Sequence, residues 1–309
     1  MRGEVIAAIL GHFLKAFTGI IAAPIPIGIY YGEPTSNLIG FFYASMACLI
    51  LGISLGKIGD YEEPSVSEAM ISTVMGWMIA VVLGAIPFLI EMSMVDATFE
   101  AAAGLTTTGI SLFLAPEALP KSLLFWRALM QWVGGLGVLT FFIAVIRESG
   151  GISRKLFSAE THKTDPGSIR PSLKKSILEL WKVYIFITGV FIAVYSALGM
   201  RFFDAVAHSF SGISTGGFST TAASIGAFSN SIQLATIVLM FLGGMNFVLI
   251  YKGLNMDFSI IKNSEFRLYS KIFLVFAGLI MFDIWRHNLD ASLLDAIFQS
   301  ASILSSTGY

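Results

Sequence analysis

The sequence predicts an all-α polytopic membrane protein built from a repeated unit: a membrane span, a half-membrane helix, a Thr/Ser–Gly loop and a second span. Three observations lead there: an apolar composition, a series of apolar runs of bilayer length, and a polar motif that recurs in register between them. Hydrophobic residues make up 55% of the 309-residue chain and charged residues 13%, and the mean hydropathy is +0.78. A water-soluble domain of this size carries about twice that share of charge.

Runs long enough to cross a hydrocarbon core, which takes about 20 helical residues, cover residues 8–30, 36–56, 69–91, 121–146, 180–199, 232–252 and 268–285, so seven spans are expected. His12, Lys15, Pro24 and Pro26 interrupt the first, which reads as a kinked span whose Lys15 must snorkel or find a partner. Arg2 followed by the apolar Val5 to Leu10 is also how a signal peptide starts. Here the run continues without a cleavage pattern and six spans follow, which marks an uncleaved anchor.

The net charge is −1, so nothing suggests nucleic-acid binding, and the placement of the basic residues carries the information instead. With a cytoplasmic N-terminus, the inner segments hold Arg2, Lys57, Arg147, Arg154, Lys155, Lys163, Arg170, Lys174, Lys175, Lys252, Lys262, Arg267 and Lys271, and the outer ones only Lys121, Arg201 and Arg286. The positive-inside rule therefore places the N-terminus in the cytoplasm. The one cysteine, Cys48, has no disulfide partner, and no Cys/His spacing suggests a metal site or a cofactor in this chain.

Three short polar segments share a register: DATFEAAAGLTTTGI from Asp96, DAVAHSFSGISTGGF from Asp204 and DAIFQSASILSSTGY from Asp295. Each opens on Asp-Ala and reaches Gly109, Gly217 or Gly308, preceded by the hydroxyl residues Thr106, Thr107 and Thr108, Ser214 and Thr215, or Ser305, Ser306 and Thr307. One such string is ordinary loop composition, but three without a gap are an internal repeat. Asp is a good N-cap, so about nine helical residues, roughly 14 Å, are expected after each. Such a helix crosses half a bilayer, and its C-terminal end carries partial negative charge that favours a cation. Non-helical backbone at that depth is tolerated where it lines a watery path or is buried in protein, and glycine lets its carbonyls turn toward that path in place of an ion's water. The units run over 66–147, 172–254 and, for the opening part of a third, 265–309. A leading helix pair occupies 1–56 and a basic cytoplasmic linker 148–171.

TTTG at Thr106 to Gly109, STGGFS at Ser214 to Ser219 and LPKSLLFWRALMQWVGGLGV at Leu119 to Val138 resemble the Trk/Ktr/HKT family of potassium transporters, and the leading pair resembles its Trk branch. The resemblance covers nearly the whole chain. It implies span, pore helix, filter and span units around a pseudo-fourfold pore, incomplete in this chain, which lacks the second span of the third unit and the fourth unit and is therefore expected to be a fragment or truncated product, or else to receive the remaining quarter from another chain. By the same resemblance K+ is the transported ion. It meets the filter at Thr107, Thr108, Gly109, Thr215, Gly216, Gly217, Ser306, Thr307 and Gly308, with glycine associated with potassium and serine in the first filter with sodium. The family further implies a homodimer in the cytoplasmic (inner) membrane, with membrane lipid around it, gated by a cytoplasmic regulatory subunit that binds NAD or ATP and docks on the linker. Two alternatives remain beside potassium uptake: a sodium- and potassium-permeable transporter, and a non-conducting truncated fragment.

Several residues carry rival readings. Arg127, near Gln131 and Trp132, either pairs within the bundle or tunes the ion path. Glu100 and His208 hold equivalent places in two pore helices and are read as packing behind the filter. Gly134, Gly135, Gly137, Gly243 and Gly244 lie inside spans and serve close packing rather than a nucleotide loop, and GISLGK is a helix end. Asn246 is expected to hydrogen-bond between helices deep in the sixth span. Asp204, His208 and Ser209 contain the residue types of a hydrolase, but a capped half-helix does not give them triad geometry.

Overall fold

A computed structural model of the chain describes residues 1–59, 62, 64–148 and 173–309, and all regular structure among them is helical. Apart from Glu148, the linker expected at 148–171 lies outside the described residues. In chain order the helices are α1 (Gly3–Ala22), α2 (Pro24–Tyr30), α3 (Thr35–Ile58), α4 (Val66–Ala85), α5 (Met94–Leu105), α6 (Lys121–Glu148), α7 (Leu173–Ala197), α8 (Phe202–Ile213), α9 (Asn230–Gly243), α10 (Phe247–Leu254), α11 (Ser264–Arg286) and α12 (Leu293–Leu304). Five described stretches, Gly3–Tyr30, Thr35–Ile58, Ser67–Ile90, Leu178–Ala197 and Ser264–Arg286, are long and apolar enough to cross a membrane; α9 with α10 makes a sixth if a bent pair counts as one. The 28 residues of α6 extend about 42 Å. The chain forms two compact units: Met1–Ala101, Pro120–Leu123 and Gly137–Leu178 in the first, and Ala102–Leu119, Leu124–Leu136 and Glu179–Tyr309 in the second.

In the first unit, α1 and α3 meet backbone to backbone. Gly52 and Gly56 stand one turn apart on α3, a small-xxx-small pattern that lets membrane helices approach closely. A Cβ on Gly11 of α1 would lie 2.6 Å from the Gly56 amide nitrogen, and one on Gly52 would lie 3.0 Å from that of Lys15. The GISLGK string is thus the last turns of α3, with Gly59 as C-cap. Ser65 and Glu68 form a capping box at the start of α4. The buried Glu68 accepts from the Arg2 amide at 2.8 Å and from its guanidinium at 2.9 Å, which ties the head of α1 to α4. Gly11→Leu is expected to abolish the folded, monodisperse protein on size-exclusion chromatography, because the leucine has no room short of separating α1 from α3.

Two expectations are corrected in the pore-helix region. Asp96, Asp204 and Asp295 are not N-caps; each is the third residue of its helix. Ser292 caps α12 in a reciprocal box with Asp295. Ser93 accepts from the Asp96 N–H at 3.3 Å and donates to its carboxylate at 2.7 Å, while α8 opens after Arg201 with Asp204 in its first turn. A Ser at the cap, three residues before the Asp, lets α5 and α12 begin earlier, whereas α8 begins after Arg201 with no side-chain cap bond. Each of α5, α8 and α12 has 12 residues, about 18 Å.

The straight sixth span expected over 232–252 is instead α9 and α10, meeting at 111°. The helix stops at the Gly243–Gly244 pair, where helix propensity is low. Asn246 starts the next helix as its cap, accepting from the Val248 N–H at 3.0 Å, and its Nδ2 reaches Glu265 at 3.4 Å. Asn246 therefore sits at a break in the backbone rather than on the side of a continuous span.

Candidate functional site

The loops that follow α5, α8 and α12 lie wholly in the second unit and have one construction. In each helix the second residue past the end turns left-handed, at Thr107 (φ 57°), Thr215 (φ 53°) and Ser306 (φ 59°), and so does the glycine two residues later, at Gly109 (φ 75°), Gly217 (φ 76°) and Gly308 (φ 77°). For a non-glycine residue this region costs about 1–2 kcal/mol, and β-branched Thr is among the worst suited to it. Its use at the same place in all three loops shows a shared backbone requirement. The turn is closed each time by the same bond: Thr108 N–H to Ala103 O at 2.9 Å, Gly216 N–H to Ser211 O at 2.8 Å and Thr307 N–H to Ser302 O at 2.9 Å. This is a Schellman closure, which satisfies carbonyls the helix end would leave open.

The loops stand side by side in chain order. A Cβ on Gly109 would collide with the Gly216 carbonyl oxygen, and one on Gly217 with that of Thr307. Both glycines are therefore required twice, by backbone angle and by the next loop's carbonyl. The nine residues expected to form the filter are brought together in these consecutive loops.

The hydroxyls are arranged differently in the middle loop. Thr106 and Thr108 bridge Oγ1 to Oγ1 at 2.8 Å, and Ser305 and Thr307 bridge at 2.7 Å. In the second loop Gly216 replaces the second hydroxyl, so the bridge is lost, while Ser214 keeps the bond back to Phe210 O at 2.9 Å that Thr106 makes to Ala102 O and Ser305 to Ala301 O, both at 2.7 Å. The buried Gln131 of α6 enters here: its Nε2 donates to Gly216 O at 2.7 Å and its Oε1 accepts from the Phe218 N–H at 3.1 Å. In the sequence Gln131 stands out only as a neighbour of Arg127. A polar residue in an apolar run was the available signal.

Arg127 is buried one turn before it. Its guanidinium donates to Ser219 O at 3.1 Å and to Ser111 Oγ at 2.8 Å, and lies 4.2 Å from the Phe218 ring centroid and 5.5 Å from that of Phe113. It joins the segments leaving the first and second loops. Gly134 and Gly135, expected to pack helices, instead receive the loops. A Cβ on Gly134 would collide with Leu105 O, and one on Gly135 would come within 2.8 Å of Tyr184 Oη and 3.1 Å of Ser214 Cβ. Gly243 and Gly244 repeat this: a Cβ on the first would lie 3.0 Å from Ile213 O, and one on the second 2.6 Å from Tyr269 Oη and 3.1 Å from Ser305 Cβ. The two tyrosines donate in parallel, Tyr184 to Trp132 O at 3.0 Å and Tyr269 to Phe241 O at 3.4 Å.

Glu100 and His208 are both buried. The His208 ring pairs through Nδ1 with the Asp204 backbone carbonyl at 2.8 Å and through Nε2 with Ser219 Oγ at 3.1 Å, so neither the Asp204 carboxylate nor Ser209 forms a triad with it. Among the described residues no group of three or more His, Cys, Asp or Glu is placed to hold a metal ion. Oxygen at the loops comes from carbonyls and hydroxyls, the donor set suited to an alkali cation.

Apolar helices of bilayer length, accompanied by three 12-residue helices that end in glycine-bearing loops, define a multi-pass membrane protein. The sequence matches the TrkH family, described as cation transport protein, over residues 39–277. It is 29% identical to the Trk system potassium uptake protein TrkH of Salmonella typhimurium over 100% of this chain and 66% of the relative. An uncharacterised cation transporter of Methanocaldococcus jannaschii is also 29% identical, over 99% of this chain and 63% of its own. The crystal structure of the potassium transporter TrkH from Vibrio parahaemolyticus superposes with a TM-score of 0.84 at 28% identity, covering 99% of this chain and 64% of that one. The chain belongs to the TrkH family of cation transport proteins, a family of transporters and not of enzymes. It spans about two thirds, 66%, of the length of the first curated relatives.

Proposed function

We propose that the intact protein takes up potassium across the cytoplasmic membrane, passing the ion along backbone carbonyls of the Thr/Ser–Gly loops. The observation that carries this reading is the threefold recurrence of the left-handed turn and glycine, with each of the first two glycines set against the next loop's carbonyl. Glycine at 109, 217 and 308 leaves the path free of side chains, and three helix C-termini ending at the loops lower the potential for a cation. Relatives named potassium uptake proteins support the choice of ion. The filter residues are those expected from the sequence: Thr107, Thr108, Gly109, Thr215, Gly216, Gly217, Ser306, Thr307 and Gly308. A nucleotide-binding cytoplasmic subunit acting through the basic linker belongs to the same reading.

The test is uptake into proteoliposomes containing the intact protein. Potassium or rubidium influx that a tenfold excess of sodium leaves intact is the expected result. Equal uptake of both ions would favour a sodium- and potassium-permeable transporter, and no uptake of either would overturn the proposal.

A further inference from the structure

Gly216 differs from the other filter glycines. Gly109, Gly217 and Gly308 have positive φ, but Gly216 does not, so its backbone would accept any residue. What a side chain there would meet is another side chain, which would have to leave its hydrogen bonds to make room. The three atoms nearest to a Cβ on Gly216 are Cδ, Oε1 and Nε2 of Gln131. The same carboxamide donates to Gly216 O at 2.7 Å and accepts from Phe218 N–H at 3.1 Å, so it occupies the place of the absent side chain and grips the loop on both sides of Gly217.

The first and third loops hold themselves. Their residues at this position are Thr108 and Thr307, each bridged by its hydroxyl to the residue two before it, Thr106 and Ser305. The second loop has no hydroxyl at this position, and its brace arrives from α6, in the preceding repeat of the sequence. The register of the units shows that the exchange is paired. With Gly134–Gly135 aligned on Gly243–Gly244, the residue three before the glycine pair is Gln131 in one unit and Met240 in the next. Gln131 thus accompanies Gly216, and Met240, which has no amide, accompanies the self-bridged Thr307.

We propose that Gln131 is a positioning residue for ion selectivity, replacing from the neighbouring unit the hydroxyl bridge that the second loop lacks, so that Gln131 and Gly216 are one matched pair. This rests on the loops being the filter. Gly216 O also lies against Gly109, so a shift of the second loop is passed to the first. Fixing that carbonyl fixes both loops.

The experiment measures potassium over sodium selectivity of the intact protein in proteoliposomes, per amount of folded protein, for Gln131→Met, Gly216→Thr, the double variant that recreates the pairing of Met240 with Thr307, and Gly109→Ser as a filter control. Each single variant is expected to lose selectivity on the order of tenfold, the equivalent of one well-made buried hydrogen bond. The double variant is expected to regain most of it. A role in stability alone would not predict recovery on adding a second change. A double variant no better than the worse single one would overturn the pairing. Unchanged selectivity in both single variants while Gly109→Ser shifts it would overturn the role of Gln131 and leave the filter standing, whereas no shift in any variant would remove the filter itself. If Gly216→Thr alone does not fold, recovery of folded protein on adding Gln131→Met supports the pair, and failure to recover overturns it.

Discussion

Gly217→Ala is expected to reduce potassium transport by at least about 100-fold, on the reading of the loops as a filter, since each ~1.4 kcal/mol is tenfold. Two effects add. Alanine at a φ of 76° pays the left-handed penalty of about 1 kcal/mol or more. Its methyl group also meets the Thr307 carbonyl oxygen, so the third loop must move or the second must unwind. Neither can happen without displacing oxygens proposed to replace an ion's hydration shell. Gly189→Ala is the matched control: Gly189 lies within α7 and nothing stands within 4 Å of its Cβ position, so this change gains helix propensity of roughly 0.5–1 kcal/mol and leaves transport alone. Rubidium uptake normalised to folded protein measures both. Transport of Gly217→Ala within threefold of the parent would contradict the packing of the loops described above.

Arg127→Ala is expected to cost roughly 3 kcal/mol of stability, read as a lower unfolding temperature in detergent. Hydrogen bonds to a charged group contribute about 1.5–3 kcal/mol, and a desolvated cation over an aromatic face about 2 kcal/mol. Arg127 makes both, to Ser219 O and Ser111 Oγ and over Phe218. Lysine is expected to rescue less than half of the loss, because one ammonium cannot reach two acceptors in the fork geometry and still lie flat on the ring. Full rescue by lysine would show that charge alone matters, and would revive the reading of Arg127 as a tuner of the ion path. The geometry favours a clasp between the segments leaving two loops, formed by a side chain of the span that follows the first.

Helix ends show what periodicity and spacing convey. Asp-Ala at the head and glycine at the tail marked three half-helices because caps and left-handed turns are local demands, met by residues within a few positions of each other. The same locality explains the error at the heads: the Ser-x-x-Asp box was visible at Ser93 and Ser292, but Asp alone was credited with the cap. In α9, apolar composition concealed a break. A hydropathy run is indifferent to direction, and the turn at Gly243 to Asn246 depends on a cap and on Ile213 and Ser305, at the ends of α8 and α12, that crowd the glycines.

From the sequence alone came the membrane class, the repeat, the three loops and the glycines at 109 and 217, because each follows from composition or from backbone angles that only neighbouring residues set. The tertiary structure alone decided which carbonyl each glycine faces, that Gln131 braces Gly216 across 85 residues of sequence, and that Arg127 joins Ser111 to Ser219. Those are contacts between distant segments, and no periodicity encodes them: they depend on where two packed helices bring one amide and one guanidinium to rest.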